Sequence, residues 1–241
     1  MTRRRWIADE VSRNRAALTG AHADHLIRVL RARVGQEFDI VANAVVHRGR
    51  VAAIGDGRVE FELGEEISAE PTSLQLTLLL AIFKFDRLEW AIEKCTELGV
   101  TRIIPLIARR TDSHLVSASA KRVERWRRIS VQAAEQSRSP APPEIADPIK
   151  LQAALTIPAK LKIVLSEAEE QSHLRDVRAG AGDEVLLAIG PEGGWTQDEL
   201  DQFHKEGWVS ASLGSTILRA ETAAIAATAI TMALSAGKIS L

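Results

Sequence analysis

The stretch DEVLLAIGPEGGWTQDEL, residues 183–200, decides how this chain is read. From Val185 to Ile189 it is a continuous apolar run of strand length, the mark of a strand buried on both faces of a parallel sheet. Gly190, Pro191, Gly193 and Gly194 break that run into a loop. Thr196 followed by Glu199 is a capping box that opens a helix, and Gly207 is placed to end it. A strand that enters a glycine loop and leaves as a helix is half of a βαβ unit. It raises the question of what the glycines make room for.

Working outward, the same alternation recurs. LQLTLLLAIF (74–83) reads as an apolar strand, KFDRLEWAIEKCTELG (84–99) as a helix ended by Gly99, and VTRIIPLIARR (100–110) as the next strand. A basic helix over 120–137 and the proline-rich connector SPAPPEIADP (139–148) follow. Beyond them lie the strands AKLKIVLSEA (159–168) and WVSASLG (208–214) and a final helix over 221–236. The class expected is α/β. Before residue 70 the pattern differs: a short helix in ADHLIRVLRARVGQ (23–36) stops near Gly35, and EFDIVANAVVHRGRVAAIG (37–55) and RVEFELGEEI (58–67) read as strands. Two domains are expected, a small β-rich one over 1–70 and an α/β one over 73–241, with SAEPTS (68–73) as linker.

A chain of 241 residues, 46% hydrophobic, can bury a real core. No window approaches the about 18 uncharged apolar residues of a membrane span, and the opening MTRRRWIADEVSRNR has no apolar stretch behind its arginines. A cytoplasmic protein is expected, without a membrane partner. The single cysteine, Cys95, excludes an internal disulfide, and it shares a helical face with Leu88, Ala91, Ile92 and Leu98 as a packed thiol would. The six histidines have no ligand spacing, so no metal is assigned.

The net charge of −1 conceals two basic zones. Residues 1–35 hold eight arginines against three acidic residues, and residues 102–128, with Arg109 among them, hold eight basic residues against two. This suggests a polyanion surface. The alternative is an amphipathic helix in KRVERWRRISVQAAEQ (121–136), with Val123, Trp126 and Ile129 inward and a solvated arginine face.

Two glycine loops, LLAIGPEGGW (186–195) and SASLGSTILRAET (210–222), leave the C-terminal ends of strands, where open α/β sheets collect ligands. Neither GxGxxG nor GxxxxGK[ST] occurs, which disfavours a nucleotide held by its phosphates. Glycine and proline flanked by Leu, Ile and Trp suit a flat apolar group such as adenine, although such turns can also be purely structural.

IGPEGGWTQDEL (189–200) followed by LGSTILRAETAAIAA (213–227) resembles the C-terminal signature of the SPOUT methyltransferases. Within them it most resembles the RsmE family of small-subunit (16S) rRNA uridine-N3 methyltransferases. DHLIRVLRARVGQEFDI (24–40) resembles that family's PUA-like N-terminal domain, RLEWAIEKCTELGVTRIIPLIARRT (87–111) its first βαβ segment, and AAEQSRSPAPPEI (133–145) its mid-chain segment. The resemblance implies a C-terminal trefoil knot, S-adenosylmethionine as cofactor, a homodimer, and 16S rRNA or the small ribosomal subunit as partner. It carries the cofactor contacts onto Leu165, Ile189, Gly190, Gly194, Leu213, Gly214, Ile217 and Leu218. Where the family usually reads LGPR, this chain has Ser215 and Thr216 in place of the proline and arginine.

Arg219 then becomes the expected catalytic cation, with Glu192 or water taking the uridine proton; the alternative is an Arg219–Glu221 pair that staples the loop. Arg5, Arg28, Arg31, Lys84 and Arg109 are expected to meet RNA, Arg28 and Arg31 from one helix, while solvation accounts equally well for Lys84. The competing functions are methylation of another RNA, such as a tRNA ribose, and a non-catalytic RNA-binding assembly factor.

Overall fold

The computed structural model describes residues 5–43, 45–67, 74–178 and 183–234, and the chain divides into two units. The first takes the described part of 1–71 together with 131–142, and the second the described part of 72–130 and 143–241. The expected linker 68–73 lies outside the described residues, as does the end of the final helix beyond Leu234.

The first unit is a six-stranded sheet of β1 (Arg5–Ile7), β2 (Glu10–Ser12), β3 (Arg15–Thr19), β4 (Glu37–Ala42), β5 (Val45–Gly55) and β6 (Arg58–Glu66), in the order β1-β4-β5-β6-β3-β2. Strands β5 and β6 form the hairpin that the two long runs predict, turning through Asp56 and Gly57, both at positive φ as a type I′ turn requires. Trp6, Leu18, Leu26, Ile40, Val51, Val59 and Phe61 fill its core. The helix expected to approach Gly35 is shorter: α1 (Gly20–Asp24) continues as a π-helical turn over His25–Val29 and is capped at Leu30. Arg31 then turns out at a φ of 50°, so Arg28 and Arg31 do not lie on one helix. Residues 131–142 join this unit because Glu135 is fully buried in it. The Glu135 carboxylate accepts the Ile7 backbone N–H at 3.2 Å and lies 3.4 Å from His22 Nε2.

The second unit contains, in chain order, β7 (Gln75–Ala81), α2 (Phe85–Glu97), β8 (Arg102–Ile107), α3 (Ser113–Ser119), the start of α4 (Val123–Ser137), β9 (Glu144–Ile145), β10 (Ile149–Lys150) and α5 (Leu151–Leu155). It continues with β11 (Leu161–Leu165), α6 (Leu174–Arg178), β12 (Glu184–Ile189), α7 (Gln197–Lys205), β13 (Val209–Ala211) and α8 (Ala220–Ala233). Every pairing in its sheet is parallel, in the order β10-β8-β7-β12-β11-β13 with β9 beside β8.

The apolar runs follow from this burial. Leu76, Leu78, Leu80, Ile163, Leu165, Val185, Leu187 and Ile189 face a core covered by α2, α6, α8 and Trp126 of α4. Their chain neighbours Leu79, Ala81, Val164, Leu186 and Ala188 face a second core with Trp195, Leu200, Phe203 and Trp208. A strand that packs on both faces has no polar side to show, hence no alternation. The capping box forms as expected: the Thr196 hydroxyl accepts from Glu199 N, and the Glu199 carboxylate accepts from Thr196 N. Cys95 is buried under α8, where Thr228 Oγ1 approaches its sulfur at 3.4 Å. Burial pushes its thiol up to about 12, so it is no nucleophile at neutral pH.

Candidate functional site

Because β11, β12 and β13 are parallel neighbours, their C-terminal ends share one edge of the sheet. Three loops leave that edge and surround a cavity of about 410 Å³, where the sequence pattern predicts two glycine loops. Leu165, Ile189, Gly190, Gly194, Leu213, Gly214, Ile217 and Leu218 all line it, together with Glu192 and Arg219. These residues lie far apart in sequence, and the sheet order brings them together.

The loop after β12 is fixed at three points. Pro191 O accepts the Gly194 N–H at 2.9 Å, closing a turn in which Gly194 takes a φ of 69°. Trp195 turns inward, and its indole N–H donates to Leu165 O at 2.9 Å. Arg110, just past β8, donates from Nη1 to Gly193 O at 2.6 Å. A Cβ at Gly194 would lie 2.8 Å from Glu167 Oε1, so only glycine leaves that carboxylate its place. The third loop, after β11, is ordered by Glu169, whose carboxylate accepts the Gln171 and Ser172 N–H groups at 2.8 and 3.0 Å. Those two bonds, that from Ser172 first, hold the Glu169 carboxyl below the usual carboxylate range.

The charges are arranged differently from the sequence-based expectation. Glu221 is buried in the first turn of α8, where the helix dipole favours an anion, but the cation beside it is Arg87, with Nε 3.8 Å away. Arg87 also donates to Glu192 at 2.5 Å. Thus Arg219 does not staple the loop through Glu221; it is exposed, and no ion pair among the described residues engages it. Arg87, Arg110 and Glu167 are site residues that sequence reasoning missed. Arg87 and Arg110 follow strands β7 and β8, and the rule that ligands gather at parallel strand ends is the signal that pointed to them.

Of the expected RNA contacts, Lys84 is exposed, while Arg109 pairs with Asp198 at 3.6 Å and gives its backbone N–H to Glu199. Arg28 is exposed beside Asp24, 3.4 Å away. Arg5 donates to the Arg138 carbonyl. The basic helix is partly neutralised: Arg122 and Arg125 both meet Glu89, and Arg127 meets Glu124 and Asp147. Val123 and Trp126 are buried and Ile129 is partly buried, as the amphipathic reading requires. Among the described residues no group of three or more His, Cys, Asp or Glu could hold a metal ion, and no helix is long and apolar enough to cross a membrane.

A cavity walled by glycine loops at the edge of a parallel sheet, lined by apolar and charged side chains together, is where α/β proteins bind their ligands. Residues 70–232 match the family described as RNA methyltransferase domain. A ribosomal RNA small subunit methyltransferase E from Rickettsia conorii is 39% identical over 179 residues, 73% of this chain and 71% of its own length. One from Synechocystis is 34% identical over 215 residues, 86% of this chain and 69% of its own. The crystal structure of a ribosomal RNA small subunit methyltransferase E from Neisseria gonorrhoeae bound to S-adenosyl methionine superposes with a TM-score of 0.84 at 31% identity, covering 95% of this chain and 96% of that one. The chain belongs to the RNA methyltransferases and, among them, to the family of ribosomal RNA small subunit methyltransferase E.

The turn yields a first test. Gly194→Ala should lower stability by about 1–2 kcal/mol for the left-handed φ alone, and displace Glu167 besides. Gly207→Ala, at a φ of 77° with open space around it, should show the strain without the displacement. Urea unfolding of both variants checks this, and an equal loss in the two would contradict a role for Glu167 contact.

Proposed function

We propose that this protein transfers the methyl group of S-adenosylmethionine to N3 of a uridine in 16S rRNA, in the cytoplasm. One observation carries the reading: every residue expected to hold the cofactor lines one cavity, in a chain that superposes over nearly its whole length on a relative bound to that cofactor. The lining fits the group. A Cβ at Gly190 would meet the Trp195 indole at 3.1 Å, so the glycine lets that ring close the wall of the cavity, and Leu165, Ile189, Leu213 and Leu218 offer apolar contact to a purine.

When bound, S-adenosylmethionine supplies an activated methyl on a sulfonium, so the protein's task is to position the base and favour its anion. Arg219, exposed at the cavity and unpaired, is the cation for the negative charge developing on a uridine carbonyl. Glu192 is a poor recipient of the N3 proton, because its carboxylate already accepts from Arg87. We assign the proton to water.

The finer architecture belongs to the same reading. Strand β12 lies between β7 and β11, and β11 between β12 and β13, while α8 returns to pack on α2 and α6. That interleaving supports a trefoil knot through the two glycine loops. The first unit is read as PUA-like and RNA-binding, with Arg28 and Arg31 presented to solvent.

Four measurements test the proposal. Arg219→Ala should lower the methyl-transfer rate by ~10²-fold or more and leave S-adenosylmethionine affinity within a few-fold, with a wild-type rate that keeps rising above neutral pH as more uridine ionises. An unchanged rate in the variant, or a bell-shaped profile near pH 6.5, would contradict this assignment; failure of the wild type to bind S-adenosylmethionine in calorimetry would favour a non-catalytic assembly factor. Replacing Arg28 and Arg31 together by Ala should weaken RNA binding, leave cofactor affinity unchanged, and flatten the log–log salt dependence by about 0.7–0.9 for each phosphate no longer neutralised. The exposed Ile217 and Leu234, at the two ends of the segment that includes α8, support a homodimer through that helix, so light scattering at micromolar concentration should give twice the chain mass, and a monomer would refute it.

A further inference from the structure

Two carboxylates line the cavity, and they differ in one respect. Glu192 is bonded to Arg87 at 2.5 Å. Glu167 has no hydrogen bond or ion pair among the described residues. It stands on the loop after β11, whose backbone is held by Ser166 Oγ, accepting from Ala168 N at 3.2 Å, and by the Glu169 carboxylate. Its Oε1 lies against the bare α-carbon of Gly194 on the neighbouring loop. An exposed charged group thus stands at the cavity between two lining loops, with nothing among the described residues to accept from. Such an arrangement fits a ligand that brings donors.

We infer that Glu167 binds the two ribose hydroxyls of S-adenosylmethionine, an inference that rests on the cofactor reading above. An ionised carboxylate is acceptor-only, with two oxygens side by side, and a vicinal diol offers two O–H donors at matching separation. Adenine matches less well, because its single amino group is flanked by ring nitrogens whose lone pairs repel a second carboxylate oxygen. The amino-acid tail carries both a cation and an anion. Its complement is the mixed charge of Arg87 and Glu192. Glu167, on the β11 loop, is left for the uncharged polyol. The contact would also explain why Gly194 must lack a side chain: any Cβ there pushes the acceptor away.

Isothermal titration of the full-length protein tests this with S-adenosylhomocysteine, its analogue lacking both ribose hydroxyls, and its analogue lacking the α-amino group. The wild type should bind the parent about tenfold to a hundredfold more tightly than the deoxy analogue, the range expected for hydrogen bonds to a charged group. In Glu167→Ala the parent should weaken to the level of the deoxy analogue and the gap should close, while the loss caused by removing the amino group stays as in the wild type. Glu167→Gln, which keeps one acceptor oxygen, should fall between. Unchanged parent affinity in Glu167→Ala, where the wild type binds, would overturn the inference alone. A variant that no longer senses the amino group would overturn it in favour of a contact to the ammonium. If the wild type binds none of the three ligands, the cofactor reading and the inference both fail.

Discussion

The indole N–H of Trp195 reaches back to the carbonyl of Leu165, and the cavity is organised around that bond. It joins the loop after β12 to the last residue of β11, closing one wall at the point where both strands end. The same ring meets Phe203 at 5.0 Å, and Phe203 meets Trp208 at 4.9 Å, each edge to face. The loop is therefore continuous with one of the two cores of the sheet. A buried aromatic cluster with a satisfied polar tip is rigid, and rigidity is what a site needs when its chemistry depends on placement.

Local signals are legible along the chain. Thr196 and Glu199 act within one turn, Gly99 and Gly207 take the positive φ their places require, and the long apolar runs are strands packed on both faces. The cofactor candidates come instead from a resemblance spanning the chain, and the sheet gathers them at one cavity. What escapes depends on contacts across long separations. Arg87 and Glu192 are 105 residues apart, and Arg110 and Gly193 are 83. No window along the chain registers such pairs. The short strands β1, β2 and β3 escape for a different reason: three to five residues are too few to show a period.

Charge is the least legible property. Counting arginines over 102–128 gives a basic zone, but Glu89 on α2 answers Arg122 and Arg125, and Glu144 answers Arg102. Ion pairs of this kind, exposed to solvent, contribute little to stability, yet they weaken the field that the count implies. The opposite holds at the cavity, where a few charges at short range decide the character of the site. Arg87, drawn to Glu192 and Glu221, leaves Arg219 as the cation with an open valence.

Glu135 gives α4 a second meaning. Its buried carboxylate sits among Trp6-bearing β1, the Ile7 amide and His22, so the first unit is completed by a strap taken from the middle of the chain. The first unit is therefore discontinuous in sequence. Neither unit can be lifted out at one cut, and a gene fusion or exchange that respected only the boundary near residue 70 would deliver a sheet lacking its own latch.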